Sequence, residues 1–146
     1  MEDTDRQILL LLAQDGRMSF TDLAKETGLS VSAVHQRVRR LEKRGAIQGF
    51  TARLDPDQIG LPLTAFISIK PIDPAADDDA PERLAHLTAI EACHSVAGDE
   101  NYILKVRVAT PADLEELLKQ IRSAANVNTR TTIVLSTPYE GRPPQI

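Results

Sequence analysis

The chain has one cysteine, Cys93. It cannot close a disulfide within the chain, which excludes a disulfide-stapled secreted scaffold and makes a reducing cytoplasm the expected compartment. Long apolar runs are missing too. The longest, Ile8 to Ala13, covers six residues, far below the roughly 20 that span a bilayer. The opening residues, Met1-Glu2-Asp3-Thr4-Asp5, are acidic and lack the basic stretch of a secretory signal. There is no glycine-rich phosphate loop, no nucleophile elbow and no carboxylate pair with an arguable position, so catalysis has no support and no cofactor is expected. What is present is the balance of a soluble globular protein. The 146 residues are 42% hydrophobic and 26% charged, enough for one ordinary domain or two small ones.

The net charge of −4 hides an asymmetry. Residues 1–53 carry nine Lys/Arg against seven Asp/Glu, a balance of +2, whereas residues 54–146 carry eight against fourteen, a balance of −6. Halves of opposite sign suggest two tasks. The positive charge is concentrated further in His35 to Arg44, where Arg37, Arg39, Arg40, Lys43 and Arg44 face a single Glu42. Phosphate attraction follows this local field, not the overall charge.

The first half reads as three helices. Thr4 and Gln7 form a capping-box pair ahead of the apolar run, and Asp15-Gly16 stops that helix. Ser19 opens a short helix over Phe20–Thr27, Gly28 supplies the turn, and Ser30 caps a third helix over Val31–Arg44 that ends at Gly45. Ala46 to Leu54 reads as a strand or hairpin. Pro56, Gly60 and Pro62 mark a linker, after which strands and helices alternate. Ala65–Ile69 is a strand ended by Pro71. The acidic loop Asp73–Asp79 precedes a helix from near Pro81 to about Ala92, and Cys93–Ala97 is a second strand. The turn Gly98–Asn101 leads to a third strand, Tyr102–Val108, with Leu104, Val106 and Val108 on one face. Thr110-Pro111 begins a helix carrying Leu114, Leu117, Leu118 and Ile121, and Thr131–Ser136 is the last strand. The fold class is α+β, with a β-α-β-β-α-β, ferredoxin-like order in the second half. The tail from about residue 139 is expected to be loose.

Leu23, Ala24, Gly28, Leu29, Val34 and Val38 stand at helix-turn-helix spacing. With Val34, Val38 and Leu41 turned inward, the 3.6-residue period places Ser32, Gln36, Arg39, Arg40 and Lys43 outward. Gln can bond an adenine edge, Ser can donate or accept, and Arg can grip guanine or phosphate. The helix N-terminus near Ser30 to Ser32 adds a phosphate site. Arg37 lies at the edge of this face and could equally support a neighbouring helix; His35 is also at the border. The plainer alternative is a surface helix with a solvated charged face. Cys93-His94 with His86 matches no zinc spacing, and Cys93 is expected to be a small buried residue. Asp77-Asp78-Asp79 lacks the spacing of a calcium loop and reads as solvated. Thr129, Thr131 and Thr132 by themselves indicate only β-propensity.

The pattern Asp5-Arg6-Gln7-Ile8-Leu9, Leu23-Ala24, Gly28-Leu29-Ser30, Val34, Arg37-Val38, Leu41, Gly45-Ala46-Ile47 and Gly49-Phe50-Thr51-Ala52 resembles the DNA-binding half of the Lrp/AsnC family. These are the leucine-responsive, or feast/famine, transcriptional regulators. Ala97 to Val106 and Thr129-Arg130-Thr131 resemble the family's effector domain, and Leu29 to Val34 is similar to actinobacterial members in particular. The resemblance covers about residues 3 to 137. It implies a winged helix-turn-helix over residues 1–50, a linker strand and loop over 51–62, and a βαββαβ effector and oligomerisation domain of ACT-like, RAM type over 63–146.

The resemblance also implies double-stranded DNA as partner, docked on Ser30, Ser32, Ala33, Gln36, Arg37, Arg39, Arg40 and Lys43. It implies a small amino-acid effector at Gly98, Asp99, Glu100, Asn101, Thr129 and Thr131, in a cleft between dimers that assemble into octamers or larger rings. Two small domains have little core each, which independently favours an oligomer. Two other readings remain at this stage: an amino-acid-binding module acting on a protein partner, and a DNA-organising protein with no effector.

Overall fold

The computed structural model describes residues 1–146. The chain divides into two compact units, residues 1–53 with 138–146, and residues 54–137.

The first unit is built on helices α1 (Asp3–Gln14), α2 (Phe20–Thr27) and α3 (Val31–Lys43). Local chemistry sets the last two as expected. Ser19 Oγ accepts from the Asp22 amide at 3.0 Å and Ser30 Oγ from the Ala33 amide at 3.2 Å, each satisfying a donor the helix leaves open. Gly28, at φ +72°, makes the left-handed turn between them. The capping box expected at α1 is not there. Glu2 occupies the cap position without a side-chain bond, and Thr4 lies inside the first turn. Gln7 instead donates from Nε2 to the Glu26 carbonyl at 2.8 Å, tying α1 to the end of α2. Asp3 and Asp5 in the first turn supply negative charge where the helix dipole favours it.

Ile8, Leu12, Leu23, Ala24, Val34, Val38 and Leu41 form the core of this unit, with Phe20, Leu29 and Ile47 packed around it. The Ile47 amide donates to the Leu41 carbonyl at 3.1 Å, but residues 46–54 form no strand. That expectation is corrected: a strand needs a neighbour for its backbone groups, no strand of this unit lies beside the segment, and Phe50 is exposed. The tail is irregular, as expected. Arg53 Nη2 donates to the Glu140 carbonyl at 3.3 Å, and Arg142 lies 3.9 Å from the centre of the Tyr139 ring.

The second unit runs β1 (Leu63–Pro71), α4 (Ala80–Leu84), β2 (Ile90–Ser95), β3 (Tyr102–Val108), α5 (Pro111–Ala125), β4 (Val127–Ile133). Its antiparallel sheet has the order β2-β3-β1-β4, which is the expected βαββαβ architecture. Ala65, Ile67 and Ile69 pair with Val106, Leu104 and Tyr102, and this face is buried against Leu84 of α4 and Leu114, Leu117 and Ile121 of α5. Thr110 Oγ1 caps α5 by accepting from the Asp113 amide at 3.1 Å. Thr64, Phe66 and Ser68 alternate to the other face, opposite Arg107, Lys105 and Ile103.

Four elements differ from expectation at their ends, β1 by running two residues further each way, from Leu63 to Pro71. Helix α4 spans five residues instead of reaching Ala92, because Leu87 and Ile90 turn back on the carbonyls of Leu84 and Leu87. Strand β2 accordingly begins at Ile90, three residues before Cys93, and pairs Ile90 with Val106. Strand β4 begins at Val127, four residues before Thr131, and ends at Ile133. Asn126, at φ 52°, closes α5 and releases the chain directly into the sheet beside Pro71. Tertiary pairing decides these edges, and local composition does not reveal it.

Candidate nucleic-acid interface and effector region

Helix α3 buries Val34, Val38 and Leu41 and exposes Ser32, Gln36, Arg39, Arg40 and Lys43. Five of the side chains expected to dock on DNA therefore share one solvent-facing surface. Ala33 is half-buried, and the Ser30 hydroxyl is engaged at the helix start, with Ser32 Oγ 3.3 Å from it. The surface joins two amide or hydroxyl groups to three cations, the mixture that can read base edges and hold phosphates together.

Arg37 is placed differently. Its Nη1 donates to Glu2 Oε2 at 2.8 Å and to Asp5 Oδ1 at 3.1 Å, and its side chain is 22% exposed. These carboxylate bonds raise its pKa further above the ordinary arginine range. Arg44 Nη2 approaches Asp5 Oδ2 at 3.6 Å, so one carboxylate, itself 11% exposed, pairs with Arg37 in α3 and with Arg44 just past its end. On the other flank, His35 meets Phe20 of α2 edge-on, with ring centres 5.0 Å apart. A depression of about 600 Å³ lined by Met1, Glu2, Asp5, Arg40, Lys43 and Arg44 adjoins this network.

The turn from Gly98 to Asn101 joins β2 to β3. The Asn101 amide donates to the Ile69 carbonyl and the Val96 amide to the Asn101 carbonyl, each at 3.0 Å. Gly98 and Asp99 are exposed. Glu100 crosses β1 to Arg130 of β4, at 3.3 Å. Thr129 and Thr131 stand beside Ile69 and Ile67 and so face the helix side, where Arg122 of α5 donates to Thr129 Oγ1 at 3.4 Å. Within one chain the turn thus meets Arg130, while the two threonines point to the opposite face of the same strand.

Tyr102 is a core residue. Interaction of its phenol with the Asp78 carboxylate, then burial and the nearby negative charges, pushes its pKa up. No group of three or more His, Cys, Asp or Glu side chains is placed to hold a metal ion.

Cys93, expected to be buried, is exposed. It lies on the edge strand β2, opposite Leu104, where a five-residue α4 is too short to cover it. Its thiol lines a cavity of about 230 Å³ with Leu84 and Leu104. Partial burial there, with the charge of Glu82, pushes the thiol pKa up.

The sequence reading gave no pairing role to Asp5, Arg44, Asp78 or Arg130. Asp5 did leave a signal. It shares a stripe with Ile8 and Leu12 at i, i+3 and i+7, and a carboxylate on a buried stripe requires a partner. Arg130 left none, since a 3.3 Å pairing across an intervening strand is purely tertiary.

Comparison with known proteins covers both units. Residues 1–48 match a family model described as winged helix-turn-helix DNA-binding, and residues 64–144 match the Lrp/AsnC ligand binding domain. The chain is 53% identical over 142 residues to the HTH-type transcriptional regulator LrpA of Mycobacterium tuberculosis, covering 97% of this chain and 95% of that protein. It is 37% identical over 139 residues to the leucine-responsive regulatory protein of Escherichia coli, covering 92% and 85%. Among solved structures, the feast or famine regulatory protein of M. tuberculosis complexed with L-methionine superposes with a TM-score of 0.93 at 53% identity, covering 95% of each chain.

Proposed function

The chain belongs to the Lrp/AsnC family of transcriptional regulators, with a DNA-binding helix-turn-helix and an amino-acid-binding domain, and from that premise we propose how the two parts work. The exposed face of α3, with Gln36, Arg39, Arg40 and Lys43, enters the major groove, and Ser30, Ser32 and Ala33 at the start of the helix approach the phosphates. Arg37 supports this face from its flank. The observation carrying this reading is the separation of α3 into a fully buried valine-leucine stripe and a polar, cationic stripe directly opposite. Two chains would present their recognition helices about one DNA turn, roughly 34–36 Å, apart.

The effector is a small amino acid bound at Gly98, Asp99, Glu100 and Asn101. Turn amides suit its carboxylate and acidic side chains its ammonium group. Thr129 and Thr131 face away from Glu100's partner, an arrangement that fits a cleft assembled from more than one chain. Dimers that assemble into octamers would supply such clefts, and unequal effector binding to two assembly states would shift their populations. No helix is long and apolar enough to cross a membrane, and we place the regulator in the cytoplasm.

Fluorescence anisotropy on the DNA upstream of the chain's own coding region tests this reading. The titration runs against random competitor DNA, across a salt series and with each amino acid in turn. Specific, salt-steep binding shifted by one amino acid is the expected result. Binding unmoved by any amino acid would remove the effector and favour a DNA-organising protein. No binding at low salt would overturn the DNA-docking assignment.

A further inference from the structure

The outward residues of α3 read DNA in register only if the helix cannot roll about its own axis. The valine-leucine stripe alone fixes that roll loosely, because apolar contact is non-directional. Side chains on both flanks of the stripe add direction. At 3.6 residues per turn, Arg37 and Arg44 fall about 60–80° to one side of Val34 and His35 about 100° to the other. The His35 side is braced edge-on by Phe20 of α2. The arginine side is braced by one residue of α1, Asp5, which meets Arg37 at 3.1 Å and Arg44 at 3.6 Å, with Glu2 adding a second bond to Arg37 at 2.8 Å. Arg44 stands seven positions after Arg37, just past the end of α3, so the hydrogen bond to Arg37 holds the roll and the longer 3.6 Å approach of Arg44 adds to it.

We propose that Asp5 is a specificity-determining positioning residue: by clamping Arg37, with Arg44 beside it, it sets the rotation of α3 and so the register in which Gln36 and the cations around it meet the major groove. The inference rests on the DNA-docking reading above and adds a residue that does not itself dock on DNA. It also assigns Arg37 to the clamp. A bond to a carboxylate is directional and charge-assisted, and base readout by side chains depends on geometry that phosphate attraction does not share.

The test compares Asp5→Asn with the wild-type full chain, on DNA upstream of its own coding region and on random DNA of equal length. Circular dichroism establishes that the variant is folded. A loosened α3 reads base edges poorly but keeps its cations, and one negative charge fewer lies beside them. Affinity for the specific fragment is therefore expected to fall while affinity for random DNA holds or rises, lowering their ratio about tenfold, the equivalent of one or two mismatched base pairs.

Both affinities falling together would show that Asp5 supports the whole docking face and not its register, and both rising together that it acts only as a charge. Either result overturns the inference. If Asp5→Asn does not fold, Arg37→Lys is compared in the same way, since it keeps the charge and loses the planar fork. An unchanged ratio there overturns the inference equally. Wild-type protein that does not distinguish the two DNAs would instead overturn the underlying docking assignment.

Discussion

Replacing Arg40 with alanine removes an exposed cation from the face that Arg39 and Lys43 share on α3, while the buried stripe of Val34, Val38 and Leu41 is untouched. Each neutralised phosphate contributes about 0.9 to the slope of log affinity against log salt. Three cations on each of two recognition helices make about six contacts and a slope of about −5.4, which is roughly an 1,800-fold loss between about 50 and 200 mM salt. Arg40→Ala takes away one contact per helix, so the slope relaxes to about −3.6 and the same salt step weakens binding only about 150-fold.

Anisotropy titrations at four or more salt concentrations give the slope directly. Arg37→Ala is the contrast, because that guanidinium is already bonded to Glu2 and Asp5. Its slope should stay within about 0.5 of wild type, while its thermal midpoint falls as Asp5 loses its nearer partner. An unchanged slope in Arg40→Ala, or equal changes in both variants, would refute the division of the α3 cations into a docking set and a clamped set.

Gly28→Ala should destabilise the helix-turn-helix by about 1–2 kcal/mol. At φ +72° the added methyl meets nothing within 4 Å, so the whole effect is backbone strain; an unchanged urea midpoint would contradict it. Cys93 is exposed, yet its thiol pKa is raised by partial burial and Glu82. Its labelling by a disulfide reagent should therefore rise to full rate at higher pH than that of a free cysteine, and Glu82→Gln should move the profile back down. A profile at or below the free-thiol curve would disprove the placement.

The Tyr102 phenol is raised first by its interaction with the Asp78 carboxylate and then by burial. A folded pKa above the unfolded one gives stability that is fully present below the unfolded value and is lost as pH rises through the folded value. Ultraviolet titration in a Tyr139→Phe background should accordingly show a phenol above the ordinary range of about 10, with Asp78→Ala lowering it. A Tyr102 titration unmoved by Asp78→Ala would mean the interaction is not made.

Helix-turn-helix elements are legible in the sequence because their determinants are local. Ser19 and Ser30 bond amides three residues on, Gly28 takes the conformation it favours, and one apolar period defines the inward face of α3. The alternation of β3 and the proline at the start of α5 are local in the same sense. The segment 46–54 was misjudged because a strand is a property of two segments, and composition shows only one. Helix α4 and the start of β4 were misjudged for a related reason, since Ile90 and Val127 enter the sheet through partners at Val106 and Pro71. Cys93 depends on coverage: its strand is an edge, and α4 stops short of it.

The two-part organisation, the order of elements in the βαββαβ unit, and the placement of five outward side chains on one helix are all written in the linear chain. All of these follow from charge distribution, short-range capping and periodicity, which act within a few residues along the chain. Which cations of α3 are exposed and which are paired depends on the packing of the unit. Arg37 and Arg39 are two residues apart in one basic run, yet one is bonded to Asp5 across 32 positions and the other is exposed. The tertiary structure also decided that Glu100 meets Arg130 while Thr129 and Thr131 turn to the other face of the sheet. Charge pairing acts through space and strand pairing fixes which face each residue takes, so both depend on contacts between segments far apart in the chain.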